Sequence, residues 1–445
     1  MVLFICLAAF TVASYGPINI RVYQAFAVCG LLALLNPAAR RIPPTRHSRY
    51  ALTIGFIFLA WCFLSMVAAK YPLVTVKQAM LLMMYILVCY LAYRAFDSPK
   101  SLAVYFAALW VGSLIAYVYG YLQALLPTTV GALAFRDQQL SAGVISQLEF
   151  YRPMSFFSEG NEFGQFIIFS ASMFIACSLY ARRRWIKWCS VLALVVALPI
   201  LLVNASRGTL LALLVVGLLV LRVNRKQGTG SIRMGKALGT LALFVALGTA
   251  GITYLVLPNI PTFGSLSNSS ALEWAVGRIL NTGSESDRTL FGRLQQAWVG
   301  ARVSLENPVI GVGYGNVFTV LDQVYLEQTH VNAEDSGIPG IPNTGNATTA
   351  NFVVDIAAET GLVGLAIFLL MLVQVARIAR SNLAAHTGSA ELAFSLGSYL
   401  AFWGILVNSL SYSGVGLVTF WLNVGVILGM SDVARSPDFT NVSVG

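Results

Sequence analysis

Phe163 to Asn204 reads FGQFIIFSASMFIACSLYARRRWIKWCSVLALVVALPILLVN: two apolar runs, 163–181 and 188–204, with Arg182, Arg183, Arg184 and Lys187 gathered between them. A helix needs about 20 predominantly apolar residues to cross the hydrocarbon core of a bilayer. Each run meets that requirement. Cations packed between two such runs hold the connection on the cytoplasmic side, because basic clusters in short loops resist translocation.

The same pattern extends in both directions. Apolar runs lie near 2–17, 22–38, 51–69, 74–93, 102–125, 163–181, 188–204, 209–221, 237–256, 352–376, 393–411 and 414–431, so the expected fold is an all-α, polytopic bundle of about twelve transmembrane helices. Basic residues cluster at every second connection: Arg40/Arg41/Arg46/Arg49, Arg94/Lys100, Arg182 to Lys187, Arg222 to Lys236, Arg377/Arg380 and Arg435. With a cytoplasmic N-terminus every cluster falls inside. Two long loops, near 126–162 and 257–351, then fall outside. The organisation predicted is 1–256 with helices one to nine, 257–351 as a large, partly helical periplasmic loop, and 352–445 with helices ten to twelve and a cytoplasmic tail.

Composition agrees. Hydrophobic residues make up 57% of 445 positions, charged residues only 10%, and mean hydropathy is +0.75, too little polar surface for a soluble globule of that length. The net charge of +10 is accounted for by orientation, so no nucleic-acid partner is expected. The first run lacks a basic n-region and a clear cleavage site and reads as a retained helix. Cys6, Cys29, Cys62, Cys89, Cys177 and Cys189 all lie in or beside apolar runs, where cysteine serves as a small hydrophobe; neither a disulfide framework nor a metal site is indicated.

In the larger loop, Leu272/Val276/Leu280 and then Leu294/Trp298/Ala301/Leu305 recur at helical spacing, predicting two short helices. Gly311 to Thr349, rich in Gly, Asn, Pro and Thr, is expected to be irregular.

Once the topological cations are set aside, ten remain: Arg21, Lys70, Lys77, Arg136, Arg152, Arg207, Arg278, Arg288, Arg293 and Arg302. They lie outside or at the outer boundary, against the positive-inside trend. Guanidinium grips phosphate through planar, bidentate hydrogen bonds, so an outward arginine set suits a diphosphate; solvated or carboxylate-paired arginines are the plainer reading of any single one. Arg207 is the sharpest candidate. It sits between two apolar runs with almost no loop to keep it wet, which is costly unless it snorkels or faces a polar cavity.

Other candidates carry competing readings. Glu159 and Glu162 precede the run starting at Phe163 and suit either a helix N-terminus or a general base with a raised pKa. Gly311-Val312-Gly313-Tyr314-Gly315-Asn316 has the look of a nucleotide loop but lacks a βαβ context, and a tight turn explains it better. His330, flanked by Glu334 and Asp335, is the only histidine in the outer segments; it is a base candidate or an inert loop residue.

Gly292-Arg293, Trp298, Ala301, Asn307-Pro308 and Gly311 to Asn316, taken with Asn351 and Ala358 to Leu365, resemble the outer-loop signature of the O-antigen ligase and polymerase superfamily. Ser206-Arg207-Gly208 resembles that family's outer arginine motif. The resemblance implies a GT-C-type, inverting, metal-independent glycosyltransferase without cofactors, multi-pass in the bacterial inner membrane with its active site facing the periplasm. It would use an undecaprenyl-diphosphate-linked glycan, an acceptor glycan or lipid A core, membrane lipid and a chain-length regulator as partners. By motif position the diphosphate role passes to Arg207 and Arg293, with Arg288 and Arg152 beside them; Asn351 and Tyr314 are further site candidates. The family's ligases carry a histidine just before the Asn that is Asn351 here, and this chain has Ala350. That leaves Glu159, then His330, as the catalytic base, and favours a polymerase of O-antigen or exopolysaccharide over a ligase. A transporter or flippase is the rival from another class, and a loop-based receptor or scaffold comes third.

Overall fold

The computed structural model describes residues 11–15, 18–21, 45–96, 99–125, 155, 160–204, 207–226, 288–320, 349, 351–386, 389–411 and 418–433. Apart from one hairpin, every regular element among them is helical: α1 Arg46–Leu64, α2 Pro72–Ala95, α3 Pro99–Leu125, α4 Gly160–Tyr180, α5 Arg184–Asn204, α6 Arg207–Lys226, α7 Arg288–Glu306, α8 Phe352–Ala385, α9 Ser389–Ser409 and α10 Val418–Val433. Segments Arg46–Ala68, Pro72–Ala95, Ser101–Gln123, Asn161–Tyr180, Phe352–Ala385 and Ala390–Ser409 are long and apolar enough to cross a membrane, and Gly208–Val223 and Val418–Val433 are shorter apolar helices. The runs expected from 51 to 221 and from 352 to 431 are thus helices, whereas 22–38 and 237–256 lie outside the described residues.

The first run differs from expectation. Thr11–Tyr15 pairs antiparallel with Ile18–Arg21, in strands too short to span a bilayer, which takes roughly 9–11 residues per strand. Both segments contain β-branched residues, Thr11 and Val12 in one and Ile18 and Ile20 in the other, which favour extended backbone.

Helix starts follow local chemistry. The Thr45 side chain caps α1 by accepting from Ser48 N, Pro72 occupies the first turn of α2, and Asn351 caps α8 by accepting from Val353 N and Val354 N. α10 is buried over its entire length and is enclosed by α2, α8 and α9, while α9 also packs on α4 and α6 and α3 packs on α5. A helix apolar all round belongs in such a centre. Small residues bring backbones together: a side chain at Gly425 would strike Cys89 and Ala92 of α2, and one at Gly404 would strike Ile168 and Val216. Cys62, Cys89 and Cys177 are buried and free, filling space as hydrophobes.

α7 confirms a helix in the 294–305 pattern but buries a different face. Gly300, Val303 and Ser304 turn inward, Gly300 against Thr349 and Val354, while Leu294, Trp298 and Leu305 are exposed. The 272–280 pattern lies outside the described residues.

Candidate functional site

Several helix ends meet at one end of the bundle, and the polar residues that survive inside apolar runs gather there. α9 terminates at Asn408-Ser409-Leu410-Ser411. Ser411 folds back so that its backbone N–H and hydroxyl both donate to Asn408 O. The first turn of α6 lies against this terminus so closely that a side chain at Gly208 would collide with the Ser411 hydroxyl and come within 3.1 Å of Asn408 Oδ1. The glycine of Ser206-Arg207-Gly208 therefore serves close approach. Next to it, the Thr209 hydroxyl donates to Asn408 Oδ1 at 3.3 Å. α4 joins from its own N-terminal turn: Gly164 leaves room for Thr209, and Gln165 Nε2 donates to the Ser409 hydroxyl at 3.2 Å.

α7 and α8 reach the same place. Arg293, half-buried, donates from Nη1 to Ser411 O at 3.1 Å, and Asn351 donates from Nδ2 to Leu410 O at 3.1 Å while its Oδ1 caps α8. The N-termini of α4, α6 and α8 thus surround the C-terminal turn of α9. Their leading N–H groups lack intrahelical acceptors and carry partial positive charge. Added to Arg293, and to Arg207 as the first residue of α6, they make this end of the bundle suited to an anion.

Sequence candidates fare differently. Arg207, Arg293 and Asn351, distant along the chain, converge at the end of α9. Arg288 begins α7, five positions ahead of Arg293. Glu159, Arg152 and His330 lie outside the described residues, though Glu159 directly precedes Gly160, the first residue of α4.

Tyr314 belongs to a lock beside the site. α8 breaks at Gly361, whose φ of 70° and ψ of 178° lie in a region that essentially only glycine occupies. The break releases carbonyls, and the loop after α7 takes them: Val312 N donates to Ala358 O and Gly313 N to Glu359 O, while Leu362 N donates back to Pro308 O. Gly311, Gly313 and Gly315 all have positive φ, which is what the three glycines of this motif supply. Backbone N–H groups of Gly315 and Val317 also bond the Glu359 carboxylate. Tyr314 N donates to the Ser65 hydroxyl, and Asn316 clamps Tyr71 and Thr75. Burial, with Cys62, Glu359 and Asp355 adding to it, pushes the Tyr314 phenol well above its usual pKa, so it stays neutral. The tight-turn reading of this motif stands.

Sequence reasoning missed Gln165, Thr209, Asn408, Ser411 and the α8 pair Asp355 and Glu359. Asp355, buried, accepts from Thr349 N at 2.7 Å and so fixes the residue just ahead of Ala350. The missed signal was a polar residue near the end of an apolar run, which in a membrane segment points to function.

Among curated proteins, none matches the chain. A family model described as O-antigen ligase (Wzy_C) matches residues 192–369. That range holds α6, α7, the glycine loop and the broken start of α8. With its helices long and apolar enough to cross a membrane, the chain is a multi-pass membrane protein, and its residues 192–369 are similar to the O-antigen ligase family.

Proposed function

We propose that the protein transfers a polyprenyl-diphosphate-linked glycan to a sugar hydroxyl at the periplasmic face of the bacterial inner membrane, acting as an O-antigen or exopolysaccharide polymerase. The observation that carries this reading is the meeting of Arg293, the Arg207 end of α6 and the Asn351 cap on one helix terminus, within the segment matched to the family. The prenyl chain lies between helices and its diphosphate rests among Arg207, Arg293 and Arg288. The acceptor oxygen attacks the anomeric carbon opposite the diphosphate; the new C–O bond forms as the bond to the leaving diphosphate breaks, and configuration inverts. Negative charge grows on the diphosphate oxygens, where preorganised guanidinium and helix N–H groups stabilise it. Glu159 takes the acceptor proton, a contribution of roughly 10²–10⁴-fold.

Ala350 favours the polymerase within this family, because the position where its ligases place a histidine holds a methyl group. Purified full-length protein incubated with an undecaprenyl-diphosphate glycan tests the reading. Longer glycans formed without lipid A core support a polymerase; product only when core is supplied supports a ligase; no turnover with either acceptor sinks both. The sidedness has its own test. A cysteine at Ser265 should be labelled by an impermeant reagent in intact cells and one at Ser231 should not, and the reverse would overturn the periplasmic site.

A further inference from the structure

We propose that Asn408 is a diphosphate-binding residue, donating its side-chain N–H to a phosphate oxygen of the lipid-linked donor at the first turn of α6; this rests on the function proposed above. Asn408 is 1% exposed. Its Oδ1 accepts from the Thr209 hydroxyl, and its Nδ2 has no hydrogen-bond partner among the described residues. Buried amide donors are almost always satisfied. A helix interior offers routine ways to satisfy an asparagine, as Asn382 of α8 does by donating to Ile427 O at 2.8 Å. Asn408 is instead held with its acceptor engaged and its donor left over.

Its surroundings choose the ligand. The amide's carbonyl oxygen lies against Gly208, where α6 begins, 3.1 Å from the point a Cβ would occupy, beside N–H groups with no intrahelical acceptor. Ser411, which carries the Arg293 guanidinium on its carbonyl, hydrogen-bonds Asn408 O. A leftover donor on a residue that meets the α6 N-terminus through Thr209 and Gly208, and Arg293 through Ser411, matches an oxygen-rich anion. It offers nothing to a cation. Because the acceptor side is already taken by a hydroxyl, the amide is oriented to donate.

The test uses full-length protein in phosphatidylcholine nanodiscs, with geranylgeranyl diphosphate, geranylgeraniol and inorganic pyrophosphate as probes. Asn408→Ala should weaken geranylgeranyl diphosphate binding by about tenfold, the scale of one hydrogen bond to a charged group, and leave geranylgeraniol unchanged. Asn408→Asp keeps the size and the acceptor for Thr209 but adds a like charge, so it should weaken diphosphate binding further. A purely structural role would alter both lipids together. Wild-type affinity in Asn408→Ala or in Asn408→Asp, while Arg293→Ala binds poorly, overturns the asparagine assignment and spares the diphosphate reading. If Arg293→Ala also binds as wild type, that reading falls too. Pyrophosphate should compete with the prenyl diphosphate; competition by phosphatidylglycerol vesicles instead would mark a general lipid-headgroup site and overturn the assignment. Should neither variant fold, the wild type decides: geranylgeranyl diphosphate, but not geranylgeraniol, should slow amide exchange across residues 208–212, and no protection overturns the proposal.

Discussion

The two ends of this bundle solve the same problem in opposite ways. At the end where α1 begins and α2 and α10 finish, Asp432 is buried, and its carboxylate accepts from Thr45 N at 3.1 Å, the Ser48 hydroxyl at 3.0 Å and the Tyr93 hydroxyl at 2.6 Å. Every contact joins one helix to another, and the carboxylate is well supplied with donors. At the far end Asn408, equally buried, joins α9 to α6 through one long hydrogen bond and keeps a donor in reserve. Low local dielectric magnifies both conditions: a satisfied polar cluster rigidifies, and an unsatisfied one is costly until something fills it. The contrast separates a clamp from a binding site without reference to any relative.

The sharpest way to break this contrast is Arg293→Ala. It removes charge from the developing anion and should lower transfer by about 10³-fold, the upper range for losing one preorganised donor. The thermal midpoint in detergent should move little, since the position is only half-buried. Arg293→Lys should rescue poorly, because a point charge does not reproduce a planar fork. Transfer within a few-fold of wild type in the alanine variant would detach α7 from the chemistry.

The clamp predicts the converse. Asp432→Ala takes the acceptor from Thr45 N and the Tyr93 hydroxyl, while the Ser48 hydroxyl keeps Leu428 O and Thr45 Oγ1, and at about 1–3 kcal/mol for each buried group left unpaired the loss should reach at least about 2 kcal/mol. Activity per folded molecule should persist. A variant that melts normally yet loses turnover would mean that the two ends are coupled rather than separate.

Smaller in expected effect is Glu159→Gln, about 10²-fold in turnover if this carboxylate removes the acceptor proton. Its place immediately ahead of α4 motivates it, since the first turns of α4 and α6 touch through Gly164 and Thr209. Diphosphate binding should be retained, and His330→Ala should matter little. The opposite pattern, with His330→Ala inactive and Glu159→Gln near wild type, would move the base to the loop.

Much of this was legible in the chain. Run length and charge alternation foretold the helices from Arg46 to Lys226 and from Phe352 to Val433, because lipid imposes one periodicity and one sign rule on every span. Arg207, Arg293 and Asn351 were legible for two reasons: the arginines defy the charge rule, and all three sit in motif segments. Asn408 and Gln165 were not, since each is an uncharged polar residue at the edge of an apolar run, and only folding places partners from α4, α6 and α9 beside one another. The break at Gly361 was hidden for a related reason. Its flanks, Ala358-Glu359-Thr360 and Leu362-Val363, read as ordinary helix; what makes the break affordable is a glycine loop some 50 residues earlier that supplies the missing hydrogen bonds. The buried face of α7 was not legible, because apolar spacing reveals a stripe but not what covers it.

The smallest effect concerns the clamp end again, through His386 at the close of α8. Its Nδ1 donates to Asn382 O at 2.8 Å, and its Nε2 is buried with no partner among the described residues. Protonation would therefore place an unpaired N–H and a charge inside the protein. Burial lowers its pKa below the usual 6.5, against smaller opposing effects of the Asn382 carbonyl and Glu391. The sign follows from linkage. A base whose folded pKa is depressed binds protons more readily when unfolded, so the stability it lends is complete above the unfolded value and is lost as pH falls through the lowered one. Melting temperatures measured from pH 7.5 downward should decline more steeply for the wild type than for His386→Gln, whose side chain cannot charge. Parallel curves would show that the ring takes up protons alike in the folded and the unfolded chain, and that burial does not depress its pKa.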